Sequence, residues 1–481
     1  MSNLDARTRW LALYVLCLAT LMIVLDVSIV GVALPSIKDD LGFSETSLAW
    51  VVNGYLLTYG GFLLLGGRLG DLYGHRRLFL IGISLFTLAS LACGLATSQW
   101  SLVVARGVQG LGGAVASAVS LSLMVNLFTE PRERAKAMGI FGFVASGGGS
   151  IGVLLGGIIT DLISWHWIFL VNVPIGVGVV LLGMRLLPEV HIPTSARLDV
   201  WGAVTITASL IIAVYAIVNA NEKGWTSAET LGLLALALAT FVVFLVIEVV
   251  VDSPLVPLTL FKLRNLATAD VVGILWAGGM FAWFFLTALY MQLVLGYSPL
   301  QIGLAFLPGN LIMGALSIGL SAKIVMRYGF RAPLAVGLGL ASIGLLWLAR
   351  APVDGSYVVD ILPSMVLLGL GAGTAFNPVL LAAMSDVEPQ ESGLASGVVN
   401  TSFMMGGALG LAVLASAAAS RTSSLVDAGH SQAAALTSGY NLAFLIGAIF
   451  AGSGALIGGL LLRNQEMPAH APEGEPAAEP A

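Results

Sequence analysis

Residues 271–322 read VVGILWAGGMFAWFFLTALYMQLVLGYSPLQIGLAFLPGNLIMGALSIGLSA, and these 52 residues include no Asp, Glu, Lys or Arg. A helix that crosses a bilayer needs about 20 consecutive apolar residues, so this stretch has room for two crossings. Uncharged runs also cover 46–67, 78–105, 137–160 and 392–420. The sequence therefore predicts a membrane protein with many helical spans.

The composition of the whole chain supports the same class. Of the 481 residues, 58% are hydrophobic and 10% are charged, whereas a soluble domain carries about 25% charged residues. This deficit excludes a water-soluble enzyme, a disordered protein and a nucleic-acid-binding protein. The two cysteines, Cys17 and Cys93, lie in apolar runs, where they are typical of small hydrophobic side chains. We therefore expect no disulfide, no metal and no cofactor.

Apolar stretches of spanning length occur at fourteen places along the chain. These predicted spans cover 10–34, 47–66, 78–98, 101–125, 137–160, 167–187, 200–220, 230–251, 268–294, 299–322, 333–350, 361–383, 393–418 and 440–462. Fourteen helices of about 20 residues use about 280 positions. The remainder forms short loops, which leave no room for a soluble catalytic domain.

The basic residues predict the orientation of the spans. If the N-terminus faces the cytoplasm, 16 of the 21 Lys and Arg residues lie on the cytoplasmic side, four lie on the opposite side and Arg106 lies within a span. Cytoplasmic loops of membrane proteins carry an excess of Lys and Arg. We therefore predict that both termini are cytoplasmic.

Similar features recur in the two halves of the chain. The segment GHRR at 74–77 follows the second span, and YGFR at 328–331 follows the tenth. Glycine-rich stretches at 139–157 and 393–410 occupy the fifth and thirteenth spans. Parallel repeats of six helices, with a site between them, are an architecture of transporters.

We therefore predict an all-α integral membrane protein with two six-helix bundles and two additional central helices. The bundles cover 1–187 and 266–463, and the inserted helix pair with its linkers covers 188–265. Residues 464–481 are rich in Pro, Ala and Glu, which predicts a disordered cytoplasmic tail.

Asp26 is an acidic residue well inside the first span. A carboxyl group at that depth costs about 2.5–3.5 kcal/mol on insertion scales, so it is expected to have a function. Because a carboxyl group can bind and release a proton, we predict a proton-coupling role for Asp26. The alternative is an acid that is wetted near the outer membrane surface and has no role.

Arg106 lies deep in the fourth span, in the segment LVVARGVQG at 102–110. Arginine stays charged in proteins, so Arg106 requires a water-filled cavity or a partner inside the bundle. Gln109 follows about one helical turn later on the same face. We predict an internal substrate cavity lined by polar residues of the spans, namely Asp26, Arg106, Gln109, Asn53, Asp270, Asn310 and Asn377.

Glycines mark two further segments. The segment GRLGDLYGHRR at 67–77 forms a tight loop between the second and third spans, because glycine permits sharp turns and close helix contacts. The fifth span has a helix-packing set of small residues, namely Gly148, Gly152, Gly156 and Gly157. A nucleotide-binding loop is excluded there, because no strand precedes these glycines and no lysine follows them.

Together these motifs resemble the major facilitator superfamily, and the fourteen predicted spans resemble its drug–proton antiporter branch. The resemblance covers about residues 10–462. It rests on 67–77, with His75 where a basic residue is usual, on 102–113 around Arg106 and Gln109, and on 25–35 and 165–176. The family resemblance implies that the loop is a gate that steadies the outward-open state, through Gly67, Asp71, Gly74, Arg76 and Arg77.

One segment departs from the family pattern. The antiporter signature of the fifth span has a proline after its first glycine, whereas GVLLGG at 152–157 has Val153 at that place. The glycines are retained and the residue that kinks the helix is replaced.

The resemblance implies a proton-coupled antiporter that exports amphipathic organic compounds or drugs across the cytoplasmic membrane of a bacterium. Its partners are then the small substrate, protons and lipid, with Asp26 and Arg106 as the proton-coupling pair, and the protein acts as a monomer. A symporter or a dedicated metabolite carrier of the same fold is the alternative that Val153 favours. A membrane-embedded enzyme needs clustered acidic or His residues near one interface, and the sequence contains none.

Overall fold

The computed structural model describes most of the chain, namely residues 5–128, 130–188, 199–316, 320–387 and 392–463. The regular secondary structure within these ranges is entirely helical. The predicted tail at 464–481 lies outside the described residues.

The helices follow one another with short connections. The first nine are α1 (Ala6–Leu41), α2 (Glu45–Tyr73), α3 (His75–Gly94), α4 (Gln99–Leu127), α5 (Pro131–Leu162), α6 (Trp167–Leu170), α7 (Asn172–Leu186), α8 (Val200–Lys223) and α9 (Ala228–Val250). The others are α10 (Arg264–Leu289), α11 (Pro299–Ala315), α12 (Ser321–Tyr328), α13 (Arg331–Leu348), α14 (Leu362–Met384), α15 (Ser392–Asp427) and α16 (Gln432–Leu461). A 3-10 helix at Leu258–Lys262 precedes α10, and π-helical turns at Tyr290–Val294 and Tyr357–Ile361 follow α10 and precede α14.

Within the described residues, 12 helices are long and apolar enough to cross a membrane. The fifth and tenth predicted spans coincide with two shorter apolar helices, Ile151–Leu162 at the end of α5 and Pro299–Ala315. The structure therefore confirms a helical membrane protein with many spans. The count of fourteen and the cytoplasmic position of the termini remain predictions.

Serine caps and positive-φ glycines set the ends of the first helices. Ser44 and Ser98 precede α2 and α4, and each hydroxyl accepts a hydrogen bond from the backbone of the third helical residue. Such a cap satisfies one of the free N–H groups at a helix start. Gly42, with φ 67°, ends α1, and Gly74, with φ 93°, separates α2 from α3. The connections are tight, so successive helices run antiparallel.

The sixth predicted span, 167–187, matches one candidate span, Trp167–Leu186, with a local irregularity. Helix α6 ends at Leu170 and α7 starts at Asn172, but Val171 between them keeps helical dihedral angles, with φ −60° and ψ −27°. Pro174 lies in the first turn of α7 and has no N–H to bond the preceding turn. Asn172 follows this irregularity, and its side chain is buried in the protein.

Helix packing divides the chain into two groups and a pair. Helix α1 packs against α5 and α7, and α4 packs against α2 and α3. In the second group, α10 packs against α15 and α16, and α13 packs against α14 and α16. Helices α8 and α9 pack against each other, and α8 also contacts α2 and α15. Helix α9 exposes Leu238, Val246 and Val249, as a helix that faces lipid does.

Two helix pairs make the most extensive contacts between the two groups, and α1 also contacts α10. At the end of α5 distant from the N-terminus, Gly157 lies against Leu300 and Gly303 of α11. Toward the opposite end, α2 packs against α15, where Leu64 lies against Gly397. Arg9 forms an ion pair of 3.0 Å with Glu133, which shows that α1 and α5 start at the same end of the molecule.

Candidate functional site

The carboxylate of Asp26 is fully buried in the middle of α1, with 0% of its surface exposed. Arg106 of α4 donates from Nη1 to its Oδ2 over 2.5 Å. Gln109 donates to Oδ1 over 2.7 Å, and Asn172 of α7 donates to the same oxygen over 3.0 Å. Hydrogen bonds from buried donors stabilise the charged form of a carboxylate.

Arg106 is held on several sides, and only 1% of it is exposed. Its Nε donates to the backbone carbonyl of Val51 over 2.9 Å, and its Nη1 also donates to Gln109 over 2.6 Å. The guanidinium carbon lies 4.5 Å from the ring centroid of Tyr55 and 5.6 Å from that of Phe169. A planar cation suits this combination of several hydrogen-bond acceptors and aromatic rings.

Gln109 links the ion pair to α3. Besides Asp26, its Nε2 donates to Ser90 Oγ over 2.7 Å, and the thiol of Cys93 lies 3.7 Å from its Oε1. We call the set formed by Asp26, Arg106, Gln109, Asn172 and Ser90 the polar cluster. It joins α1, α3, α4 and α7, and it bonds to the backbone of α2.

A cavity of about 380 Å³ lies between the two helix groups. This volume is within the range of sites for small organic molecules, about 300–1,000 Å³. Its lining comes from seven helices: Ile23, Val24, Val27, Ser28, Gly31, Tyr55, Tyr59, Gly149, Val153, Met280, Phe281, Phe284, Asn310, Met313, Gly314, Ala372, Phe376, Phe403 and Met404. The α5–α11 contact lies on one side of this central cavity, and the α2–α15 contact lies on the other.

The polar cluster and the central cavity are separate. Ile23, Val27 and Gly31 of α1 face the cavity, whereas Asp26 lies on another face of the same helix. The described lining residues include no charged side chain, and Asn310 is the amide among them. Tyr55 belongs to both places, because its ring lines the cavity and lies against Arg106.

The structure distributes the residues predicted for a substrate cavity over several environments. Asn310 lines the central cavity, whereas Asp26, Arg106 and Gln109 are buried behind α1. They face the interior of the N-terminal group because a buried charge needs a partner, and the apolar cavity wall offers none.

The other three predicted residues lie outside the cavity lining. Asn53 is fully buried in α2, and Asp270 is 3% exposed in α10, one helical turn before Ile274, which packs on Gly406 of α15. The polar side-chain atoms of Asn53 and Asp270 have no hydrogen-bond partner among the described residues. Asn377 is half-buried in α14, next to Phe376 of the lining.

The segment 67–77, predicted as a loop, is helical except at Gly74, because α2 continues to Tyr73 and α3 begins at His75; glycine is common within membrane helices. Gly74 forms the turn, and Arg76 donates to the backbone carbonyl of Met184 in α7. Arg77 is exposed and Gly67 has open space around it. The side chain of Asp71 lies outside the described part of the structure, so its role in the gate stays a prediction.

The predicted packing glycines of α5 lie against α1 and α11. Gly148 lies against Val24 of α1, and the next two glycines of this face, Gly152 and Gly156, lie against the α1 backbone. Gly157 points to α11 instead. Glycines permit such close backbone approach in membrane helices.

Sequence reasoning did not single out Asn172, Ser90 or Tyr55 as site residues. Asn172 lies within the branch pattern at 165–176, which was the available signal. Ser90 and Tyr55 are common residues of apolar helices, and only the packing shows their contacts with Gln109 and Arg106.

Two groups of membrane-spanning helices around a central cavity, with an ion pair inside one group, define a membrane transporter rather than an enzyme. The sequence profile of the Major Facilitator Superfamily matches residues 16–411. The chain belongs to this superfamily, as its motifs predicted.

The chain is also similar to individual proteins, two by sequence and one by fold. It is 40% identical over 420 residues to a cephamycin export protein of Amycolatopsis lactamdurans, covering 86% of each chain. It is 38% identical over 450 residues to a puromycin resistance protein of Streptomyces alboniger, covering 92% of this chain and 89% of the relative. Its fold matches a bacterial homologue of the human lysosomal transporter Spinster with a TM-score of 0.68 at 14% identity, covering 95% of this chain and 98% of the other.

Proposed function

We propose that this protein is a proton-coupled exporter of amphipathic organic compounds in the cytoplasmic membrane of a bacterium, and that it acts as a monomer. The observation that carries the proposal is the buried ion pair between Asp26 and Arg106, adjacent to a cavity between two helix groups. Bacterial relatives named for antibiotic export and resistance support a drug-like cargo.

The ion pair gives protonation a structural consequence. In the described arrangement three side-chain donors bond to the two carboxylate oxygens of Asp26. A proton on this group removes the charge that pairs with Arg106, and an unpaired buried charge is strongly unfavourable. We propose that the protonated form therefore favours a different arrangement of α1, α4 and α7, with Arg106 and its neighbours repacked.

Alternating access then follows from the two contacts between the helix groups. Opening of the α2–α15 contact exposes the central cavity at the end that carries Arg9, and opening of the α5–α11 contact exposes it at the other end. With both termini cytoplasmic, the first opening admits substrate and the second releases it outside. The bundles 1–187 and 266–463 rock about the cavity, and the segment 67–77 acts as the cytoplasmic gate.

A proton gradient supplies enough free energy for uphill export. Each proton that enters down the gradient yields about 2.3 kcal/mol per 100 mV of membrane potential. A difference of one pH unit adds about 1.36 kcal/mol.

Everted membrane vesicles test the proposal. Respiration acidifies their lumen, and an antiporter lets protons leave the lumen as it moves substrate in. We expect that cationic, neutral and anionic amphipathic compounds, added one by one, include some that make the lumen more alkaline in vesicles with the wild-type protein. Vesicles with Asp26→Asn should give no such response.

A symporter or a dedicated metabolite carrier is the second candidate, and Val153 favours it. The described α5 has no proline after its first turn, so it lacks the kink residue of the antiporter signature. In vesicles without respiration, where no proton gradient opposes the movement, a symporter would carry protons into the lumen together with the added substrate, whereas an antiporter would carry protons out. The sign of the pH change therefore decides between the two mechanisms.

A further inference from the structure

The wall of the central cavity carries no charge that could balance a charged cargo. The described lining residues are all uncharged. Some side chains of α5 lie outside the described part of the structure. The sequence run 137–160, which contains those that could face the cavity, has no charged residue either. The nearest charges, Asp26 and Arg106, neutralise each other behind α1. A net charge transferred from water into such a site loses hydration without compensation.

Aromatic side chains of α10, α14 and α15 line the cavity on the side of the second helix group. Phe281 and Phe403 have ring centroids 6.2 Å apart, and Phe376 and Phe403 lie 6.1 Å apart edge to face. Across the cavity, Tyr59 stacks on Tyr55 with centroids 5.6 Å apart. Flat aromatic molecules pack well against such surfaces. Aromatic faces also attract cations, but the described lining supplies no carboxylate that would neutralise a cationic cargo.

Asn310 supplies one directed polar group to this apolar cavity. It lines the cavity, it is 2% exposed, and its Nδ2 has no acceptor among the described residues. The neighbouring Gly309 lies against the backbone of Met365 and Gly369 in α14, so the backbone that carries Asn310 is fixed. A buried donor without an acceptor is unfavourable, and a turn of the Asn310 side chain toward the cavity lets a carbonyl oxygen of a ligand accept a hydrogen bond from it.

We infer that the central cavity binds an uncharged, flat aromatic compound with a carbonyl oxygen, and that Asn310 donates the hydrogen bond that recognises this oxygen. The inference deepens the proposed export function, on which it rests for its cargo. In this proposal Asn310 and the aromatic side chains determine specificity, and the polar cluster does not contact the substrate.

Binding to the purified protein in lipid nanodiscs tests the inference without any proton gradient, with empty nanodiscs as blank. The probes are anthraquinone, anthracene as its analogue without carbonyl groups, anthraquinone-2-sulfonate as an anion and a trimethylammoniomethyl anthraquinone as a cation. We expect anthraquinone to bind at least about tenfold more tightly than either charged analogue. A cation or anion that binds as tightly as anthraquinone would overturn the uncharged class.

Asn310→Leu removes the donor and keeps a side chain of similar size. We expect it to weaken anthraquinone binding about tenfold and to leave anthracene binding unchanged. The matched control is Asn400→Leu, because Asn400 is an exposed asparagine of α15 that bonds only its own helix. Equal weakening of anthracene and anthraquinone by Asn310→Leu would show a packing effect and overturn the assigned hydrogen bond.

The export function can fail independently of this inference. If the binding preferences hold and the vesicles show no substrate-dependent pH change, the cavity assignment stands and proton-coupled export is wrong. If vesicles respond to charged compounds and the neutral probe does not bind, export stands and the cavity assignment is wrong.

Discussion

The ring of Tyr55 lies 4.5 Å from the guanidinium carbon of Arg106, and the same ring lines the central cavity. Tyr55 therefore lines the cavity and also contacts the arginine that is ion-paired with Asp26. A ligand that presses on this ring changes the environment of Arg106, which in turn holds Asp26. Proton and substrate can thus influence each other without sharing a binding position, as reciprocal coupling requires.

Substitution of Tyr55 should separate binding from coupling. Tyr55→Phe keeps the ring beneath Arg106, so it should retain substrate-induced proton release. Tyr55→Leu removes the ring beneath Arg106, so substrate binding should no longer release protons, although proton and substrate each still bind. The measurement is proton release on substrate addition in weakly buffered solution. Wild-type release from Tyr55→Leu would contradict the coupling role.

Asp26→Asn should abolish uphill export while the protein still inserts in the membrane. The variant cannot titrate, and it leaves Arg106 with a neutral partner, which costs up to about 3–5 kcal/mol of stability. The double variant Asp26→Asn/Arg106→Gln removes both charges and should recover thermal stability without recovering export. Export driven by the gradient in either variant would show that another group carries the proton.

Arg106→Lys retains the charge and loses the planar fork that reaches Asp26, Gln109 and the Val51 carbonyl together. We expect impaired transport with the fold intact, at a stability cost of about 1–3 kcal/mol from unmade hydrogen bonds. Thermal unfolding and vesicle transport measure the two effects.

Arg106→Ala should go further and move the pH profile of substrate-induced proton release. The guanidinium is the ion-pair partner of the Asp26 carboxylate, so its removal should change the pH profile of that release. An unchanged profile, with unchanged protein level and affinity, would mean that Arg106 only braces the bundle.

Much of this site was predictable from the sequence, because polar residues in apolar spans are conspicuous. Asp26, Arg106 and Gln109 stood out for that reason, and the structure brings all three together. The coupling role assigned to them remains a prediction. Asp270 was a weaker candidate for the substrate cavity, and it is neither among the described lining residues nor hydrogen-bonded to the polar cluster.

The cavity wall was not predictable in the same way. Phe281 and Phe403 line the cavity, whereas Phe241 on α9 is exposed. All three are phenylalanines in apolar helices, so sequence alone does not tell a cavity from a lipid-facing surface. That distinction depends on which helices pack together. The irregularity of the helix before Asn172 was not predictable either. It depends on Pro174, and the effect of a proline within a span varies with the neighbouring helices.

Gly157→Ala should weaken the closed contact between α5 and α11. A Cβ atom at this position would lie 2.7 Å from the backbone oxygen of Pro299 and 3.2 Å from Cα of Leu300, and backbone atoms do not yield easily. We expect a larger population with the far ends of α5 and α11 apart, seen as longer distances between spin labels on these helices. Gly178→Ala is the control, because a Cβ atom there meets nothing within 4 Å. Equal distance distributions in both variants would contradict a closing role for the α5–α11 contact.

The most direct test of proton coupling through Asp26 is the number of protons that purified protein releases when it binds a compound that alkalinises the vesicle lumen. The measurement uses weakly buffered solution, with binding followed in the same sample. The proposed mechanism predicts substrate-induced, pH-dependent release from the wild type, and no release from Asp26→Asn at saturating substrate. Equal release from both proteins at equal occupancy would contradict the assignment of Asp26 as the coupling carboxyl group.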